Sequence, residues 1–270
     1  MILCCVGCTL IALVPLLLIT TQLVQRGWEA FTPALFTALP RPVGESGGGM
    51  ANAFVGSGLI LLLAAGIGIP LGIGGGLFLA HTRSTRLAAW VRFAADLQSG
   101  TPSIVTGIFV YALCVTTLGH FSGLAGGIAL GLIMIPLVLR TTEEMLRLVP
   151  REVREGAIAL GIPYWRVMCS VVLRAARSGI VTGILLSLAR IAGETAPLLF
   201  TTLGNPNWSF DPLQPLAALP LQIFTYAISP FAAWQRQAWA GALALIGFVL
   251  LLNLGTRICF RTSSSAGDKP

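Results

Sequence analysis

Long apolar runs alternate with short polar breaks along this chain, and the lengths of the runs predict its elements. A helix needs about 20 mostly apolar residues to cross the hydrocarbon core of a bilayer. Residues 2–24 carry no charged side chain and predict a first span. Residues 51–80 are also charge-free, rich in glycine and interrupted by Pro70, which predicts a bent or tilted second span. Residues 97–139 hold no formal charge and are long enough for two spans, folded back near Gly119, His120 and Gly123. Thr101-Pro102 reads as the start of the third span, a capping Thr followed by a first-turn proline. The fifth span covers about residues 178–203, apolar apart from Arg190 and Glu194, and the sixth about 238–260. The fold class is all-α integral membrane, with six transmembrane helices.

Composition sharpens this. Of 270 residues, 55% are hydrophobic and 10% charged, less than half the roughly 25% of soluble proteins. So few charges exclude a water-soluble enzyme, and disordered chains are charge-rich and poor in apolar residues. The 17 Lys+Arg exceed the 10 Asp+Glu, but they sit in the breaks between apolar runs and not on one basic face that nucleic acid would need. Thirteen fall in the breaks at 83–92, 140–177 and beyond 257, against Arg26, Arg41 and Arg236 on the other side. The positive-inside bias therefore puts both termini in the cytoplasm. Trp90 and Trp165 fall near the inner boundary, Trp28, Trp208, Trp234 and Trp239 near the outer one. The first run lacks a basic lead and exceeds the length of a signal-peptide core, so it reads as a retained span. Whether a basic lead precedes it stays open. Cys4, Cys5, Cys8, Cys169 and Cys259 fall at cytoplasmic ends, where thiols stay reduced. Cys5-x-x-Cys8 has no second pair and reads as part of a helix end.

The organisation expected is a first helix and short outer loop at 1–50, a transmembrane domain at 51–260 with a cytoplasmic loop at 140–177, and a Ser-rich disordered tail at 261–270. The outer loop at 204–237 contains a stretch, 213–231, too apolar to be solvated, so it is expected to lie against the helices or the interface. The inner loop carries seven Arg and four Glu. Within it Val153, Gly156, Ala157 and Leu160 recur at helical spacing until Gly161-Ile162-Pro163 stops the helix. This reads either as a knob for another protein or as an ordinary positive-inside loop.

Arg190 and Glu194 stand near mid-membrane, where a charge costs at least about 2.5–3.5 kcal/mol. Spaced i, i+4, they share a helix face and can partner each other. They are either a self-neutralising structural pair or the lining of an anion path, in which Glu194 tempers Arg190. Guanidinium donors suit an oxyanion. Gly193 and Pro197 bracket Glu194 and are hinge candidates. No catalytic constellation appears. His81 and His120 fall at opposite membrane faces and cannot share a metal, and the glycines at 72–76 lack the Lys-Ser/Thr of a phosphate-cradling loop. The chain is expected to be no enzyme and to carry no cofactor.

The segment Glu155-Gly-Ala-Ile-Ala-Leu-Gly161, with Val171 and Leu173, resembles the EAA loop of type I ABC importer permeases. Glu155, Ala157, Gly161 and Leu173 match that pattern, while Gly156 replaces an Ala and Arg174 stands where many relatives have Pro. Residues 26–32, 47–57, 101–111 and 229–241, with Ala189-Arg-Ile-Ala-Gly-Glu-Thr-Ala-Pro197, resemble the PstA family of phosphate-importer permeases, a likeness spanning about residues 26–260. It implies a type I ABC importer permease fold in the bacterial inner membrane, with both termini cytoplasmic. It implies as partners a homologous PstC-like permease, two PstB-like ATP-binding subunits and an extracytoplasmic PstS-like phosphate-binding protein. It further implies that Val153, Glu155, Gly156, Ala157, Leu160 and Gly161 couple to the ATPase, and that Arg190 and Glu194 line the substrate path. A sulfate or molybdate permease would share the loop and the spans. An ion-coupled carrier would share the mid-membrane charges but has no use for the knob.

Overall fold

A computed structural model describes residues 2–45, 47–82 and 85–264. Arg83 and Lys269 of the charge bias, the side chains of Cys4, Cys5 and Cys259, and residues 265–270 of the expected tail lie outside the described residues. Every regular element among them is helical. Helix α1 (Ile2–Trp28) precedes a short α2 (Pro33–Thr37) and the long α3 (Ala51–His81), which stays helical through Pro70. Next come α4 (Arg86–Gly100) and α5 (Ser103–Val110), the latter continued by a π turn at Tyr111–Val115 into α6 (Thr116–Leu118). Gly119, at φ +78°, then reverses the chain where the glycines at 119 and 123 predicted it. Ser122 caps α7 (Gly123–Leu148) by accepting from the Ala125 N–H.

Beyond α7 lie α8 (Arg151–Ala159), α9 (Tyr164–Arg166), a π turn at Val167–Val172 and α10 (Leu173–Ala175). The chain then runs through α11 (Arg177–Ile191), α12 (Ala196–Thr201), α13 (Leu219–Ala227) and α14 (Ala232–Ser264). Four of these helices, α1, α3, α7 and α14, are long and apolar enough to cross a membrane. Two bent pairs, α4 with α5–α6 at 103° and α9–α10 with α11 at 71°, bring the number to as many as six if each pair is one broken span.

Helix α7 is the centre of the bundle. In its apolar window 61% is buried, against 6% for α1. Its tightest neighbour is α3, because glycines on both helices remove the side chains that would keep them apart. A Cβ at Gly72 would stand 2.6 Å from Val138 Cβ, and one at Gly127 would stand 2.5 Å from Leu63 Cβ. Ile60, Ala64, Met134 and Val138 close the seam. As its hydropathy predicted, the outer loop is drawn in: Leu216 and Ala218 are each 1% exposed. The Leu219 N–H donates to Ser57 Oγ, while the Gln214 and Pro212 carbonyls accept from the Gly123 and Leu124 N–H groups at the start of α7. Those are among the donors that a helix start leaves unpaired.

Several expectations need correction. Thr101 does not cap the third span; its hydroxyl donates to the Leu97 carbonyl as α4 ends, and α5 begins after Pro102. The stretch at 86–100, taken as a loop and the lead of the third span, is the helix α4, bent 103° from the α5–α6 segment that follows. Residues 140–148 of the supposed cytoplasmic loop continue α7, where the charged stretch stays helical and still buries Thr142, Glu143 and Leu146. The final helix starts at Ala232 and passes Phe260, so residues 261–264 of the expected tail are helical. The fifth span is broken between α11 and α12.

Candidate functional site

Arg190 occupies the last turn of α11, and Glu194 stands in the break that follows. The helix ends at Ile191 because Thr195 leaves helical pairing and Pro197, in the first turn of α12, has no N–H to offer the preceding turn. The two residues therefore do not share a helix face. Arg190 is exposed and Glu194 half-buried, and among the described residues neither forms an ion pair or side-chain hydrogen bond. The expectation that Glu194 holds and tempers Arg190 is thus corrected: the two border one cavity without an ion pair, and the guanidinium has no partner among the described residues. Of the hinge candidates, Gly193 lies in the break with no atom closer than 3.8 Å to where a Cβ would stand. Pro197 follows the break and packs directly on Gly107 of α5.

Both charged residues border a cavity of about 180 Å³, whose opposite wall is the α4–α5 joint with Gln98, Ser99, Thr101 and Ser103. Arg190 also closes a second cavity of about 430 Å³, which runs along α11 past Ser187, Thr182 and Thr141. A free guanidinium among hydroxyls at a break in an apolar span can hold an oxyanion by charge-assisted donors without enclosing it.

The second candidate surface is α8. Gly161, at φ +79°, turns the chain after it, a conformation that a side chain would oppose. Leu160 is 81% exposed, and Val153, Glu155, Gly156 and Gly161 are exposed beside it. Ala157 differs: it is 8% exposed and packs inward with Val149, Val167 and Val172. It anchors the knob to the bundle and offers nothing to a partner, because a short helix must spend one face on its own support.

Sequence reasoning missed the buried charge cluster at the neighbouring end of α7. Glu143, only 2% exposed, accepts from Arg92 Nε at 2.8 Å and Arg147 Nη2 at 2.5 Å, with Arg140 Nη1 at 3.5 Å. Arg140 also pairs with Asp96, and Arg92 donates to the Leu79 carbonyl. The cluster ties α4 across α3 and α7. The spacing of Glu143 to Arg147 on one helix was a signal, but Arg92 could be placed only by the fold. Among the described residues no three His, Cys, Asp or Glu side chains gather as metal ligands.

Comparison with known proteins adds independent findings. Residues 72–263 match the sequence family described as binding-protein-dependent transport system inner membrane component. The chain is similar to the phosphate transport system permease protein PstA of Yersinia pestis, 53% identical over 88% of this chain and 81% of that protein. It is likewise similar to the protein of that name from Xylella fastidiosa, 52% identical over 87% and 82%. PstA 1 of Mycobacterium tuberculosis is 38% identical over 90% and 82%. Among solved structures, the MetNI methionine ABC transporter in an inward-facing conformation superposes with a TM-score of 0.66 at 17% identity, over 79% of this chain and 96% of that one. An amino acid ABC transporter does so at 0.55 and 17%, over 77% and 92%.

Proposed function

The chain belongs to the family of binding-protein-dependent transport system inner membrane components, and on that premise we infer that it is the permease subunit of an ATP-driven inorganic phosphate importer. It is a non-catalytic, multi-pass membrane subunit, and its class implies an ATPase partner and a substrate-binding protein. The finer reading is a bacterial inner-membrane protein with both termini inside, beside a PstC-like permease, two PstB-like ATPases that bind the ATP, and a PstS-like phosphate-binding protein outside. In this reading Arg190 is the cationic station of the path, and Val153, Glu155, Gly156, Leu160 and Gly161 form the surface seated in the ATPase.

The observation that carries the path is the unpaired Arg190 guanidinium facing a hydroxyl-lined cavity at the break of the fifth span. An Arg locked to a carboxylate would have little left for phosphate; a free one offers a contact that is strong enough to attract the anion and open enough to release it. One Arg hardly balances a dianion, so the partner permease supplies further donors across the interface.

The test is ATP-dependent uptake of labelled phosphate into vesicles holding the assembled transporter, with the binding protein outside. Removing one charge-assisted contact costs about 1.5–3 kcal/mol, so Arg190→Gln is expected to lower uptake at least tenfold while the complex stays assembled. Normal uptake in that variant would make Arg190 structural. Flux without ATP would send the assignment to a carrier.

A further inference from the structure

The cavity beside Arg190 does not end there. Arg190 and Leu137 line both the cavity at the span break and the one below it, which descends along α11 to Gly179. Ser178, one residue further along α11, lines a separate cavity of about 590 Å³ with Ser170, Arg174 and Arg177, which shares no lining residue with the second. This groove is opened by the 71° bend between α10 and α11, at the end of the bundle where α8 packs against Val167, Met168 and Val172. From Arg177 to Arg190 the helix rises about 20 Å, most of the hydrocarbon thickness.

The two ends of this track are alike and its middle is not. Arg174 and Arg177 are exposed, and among the described residues no carboxylate pairs with either. Two like charges sharing one groove repel each other, and an anion between them relieves that repulsion. The α11 helix starts at Arg177 without a side-chain cap, which adds its N-terminal dipole to the same groove. Between the ends, Thr141, Thr182 and Ser187 donate their hydroxyl protons to carbonyls of their own helices, at 2.8, 2.9 and 2.8 Å. They turn only lone pairs to the cavity, so this stretch does not hold an anion.

We propose that Arg174 and Arg177, with Ser178, form a second oxyanion site that receives inorganic phosphate once it has left Arg190. The inference rests on reading Arg190 as part of a phosphate path. Two cationic stations separated by a non-binding stretch let the anion pass without a deep trap, and the inner pair faces the compartment into which it is released.

Such a site also binds phosphate from the inside. The assembled transporter is reconstituted in vesicles with ATP inside, and uptake of labelled phosphate is followed as unlabelled internal phosphate rises. The wild type is expected to be inhibited. The double variant Arg174→Gln, Arg177→Gln is expected to need about tenfold more internal phosphate for the same inhibition, with Arg→Lys at both positions lying between. Should the double Gln variant fail to assemble with its ATPase, the Lys pair and the two single Gln variants read the same shift. Coincident curves, or a wild type that internal phosphate does not inhibit, overturn the site. An assembled wild type that takes up no phosphate overturns the importer reading, and the site with it. A shift that persists in phosphatidylcholine vesicles identifies free phosphate as the ligand. One seen only with phosphatidylglycerol assigns the pair to a lipid headgroup and overturns the transport site.

Discussion

At the residue scale, the charges of this chain divide by whether the fold gives them a partner. Glu143 is nearly inaccessible yet lies within reach of three arginines, the partners that a buried carboxylate needs. Truncating one member of such a cluster strands the others, and the usual cost is about 3–5 kcal/mol. Glu143→Ala is therefore expected to lower the thermal midpoint of the purified complex markedly, whereas Glu143→Gln, which keeps an acceptor for Arg92, is expected to lower it less. Equal midpoints for Glu143→Ala and the wild type would mean that the cluster contributes nothing net. Arg190 is the opposite case, a charge with no partner among the described residues. Both residues were visible in the sequence as charges near apolar runs. Their opposite situations were not, since the sequence spacing of Arg190 and Glu194 suggested the very pairing that the helix break prevents.

At the element scale, glycine does what side-chain packing does in soluble bundles. Between lipid-facing helices there is little hydrophobic gain on association, so close backbone approach supplies the contact. On α3 the glycines at 68, 72 and 76 recur every four residues, and each faces a side chain of α7: Met134, Val138 and Thr142. A large side chain at the middle of that seam must push the helices apart. Gly72→Leu is expected to cost about 1–3 kcal/mol or more and to reduce the yield of folded protein from membranes, while Gly74→Leu, where a Cβ meets nothing within 4 Å, leaves the yield unchanged. Similar losses for both would count against the seam. The glycine-rich run was legible as a membrane helix. Which of its glycines touch α7 was not, because that depends on the rotation of α3 about its own axis.

At the scale of the whole molecule, the chain exposes what an assembly would cover. Helix α1 buries little besides Leu23 and its contact at Gly27 with Trp239 and Leu243 of α14. Leu148, Leu160 and Trp165 stand exposed around α8. Because Leu160 is 81% exposed, replacing it leaves this chain's core intact, and a defect in Leu160→Asp reports on a partner. Burying a leucine in a partner's groove is worth about 1.5–3 kcal/mol. Leu160→Asp is thus expected to weaken co-purification of the ATPase at least tenfold and to depress ATP-driven phosphate uptake in step. Undiminished co-purification would place the coupling surface elsewhere.

Hydropathy alone determined the membrane class, the apolar runs and the chain reversal near Gly119, because burial in lipid is a local requirement that each stretch of about 20 residues meets or fails by itself. The resemblance of residues 155–161 and 189–197 carried the transporter family. Helix α4, the break after Ile191, the inward turn of Ala157, the Glu143 cluster and the two cavities beside Arg190 were decided only by tertiary structure. Each depends on what a residue meets from elsewhere in the chain, such as Arg92 on Glu143, Pro197 on Gly107 or Val172 beside Ala157. A one-dimensional pattern records the polarity of a position but not its neighbours, and in this protein the neighbours decide which charges are paired and which stay without a partner among the described residues.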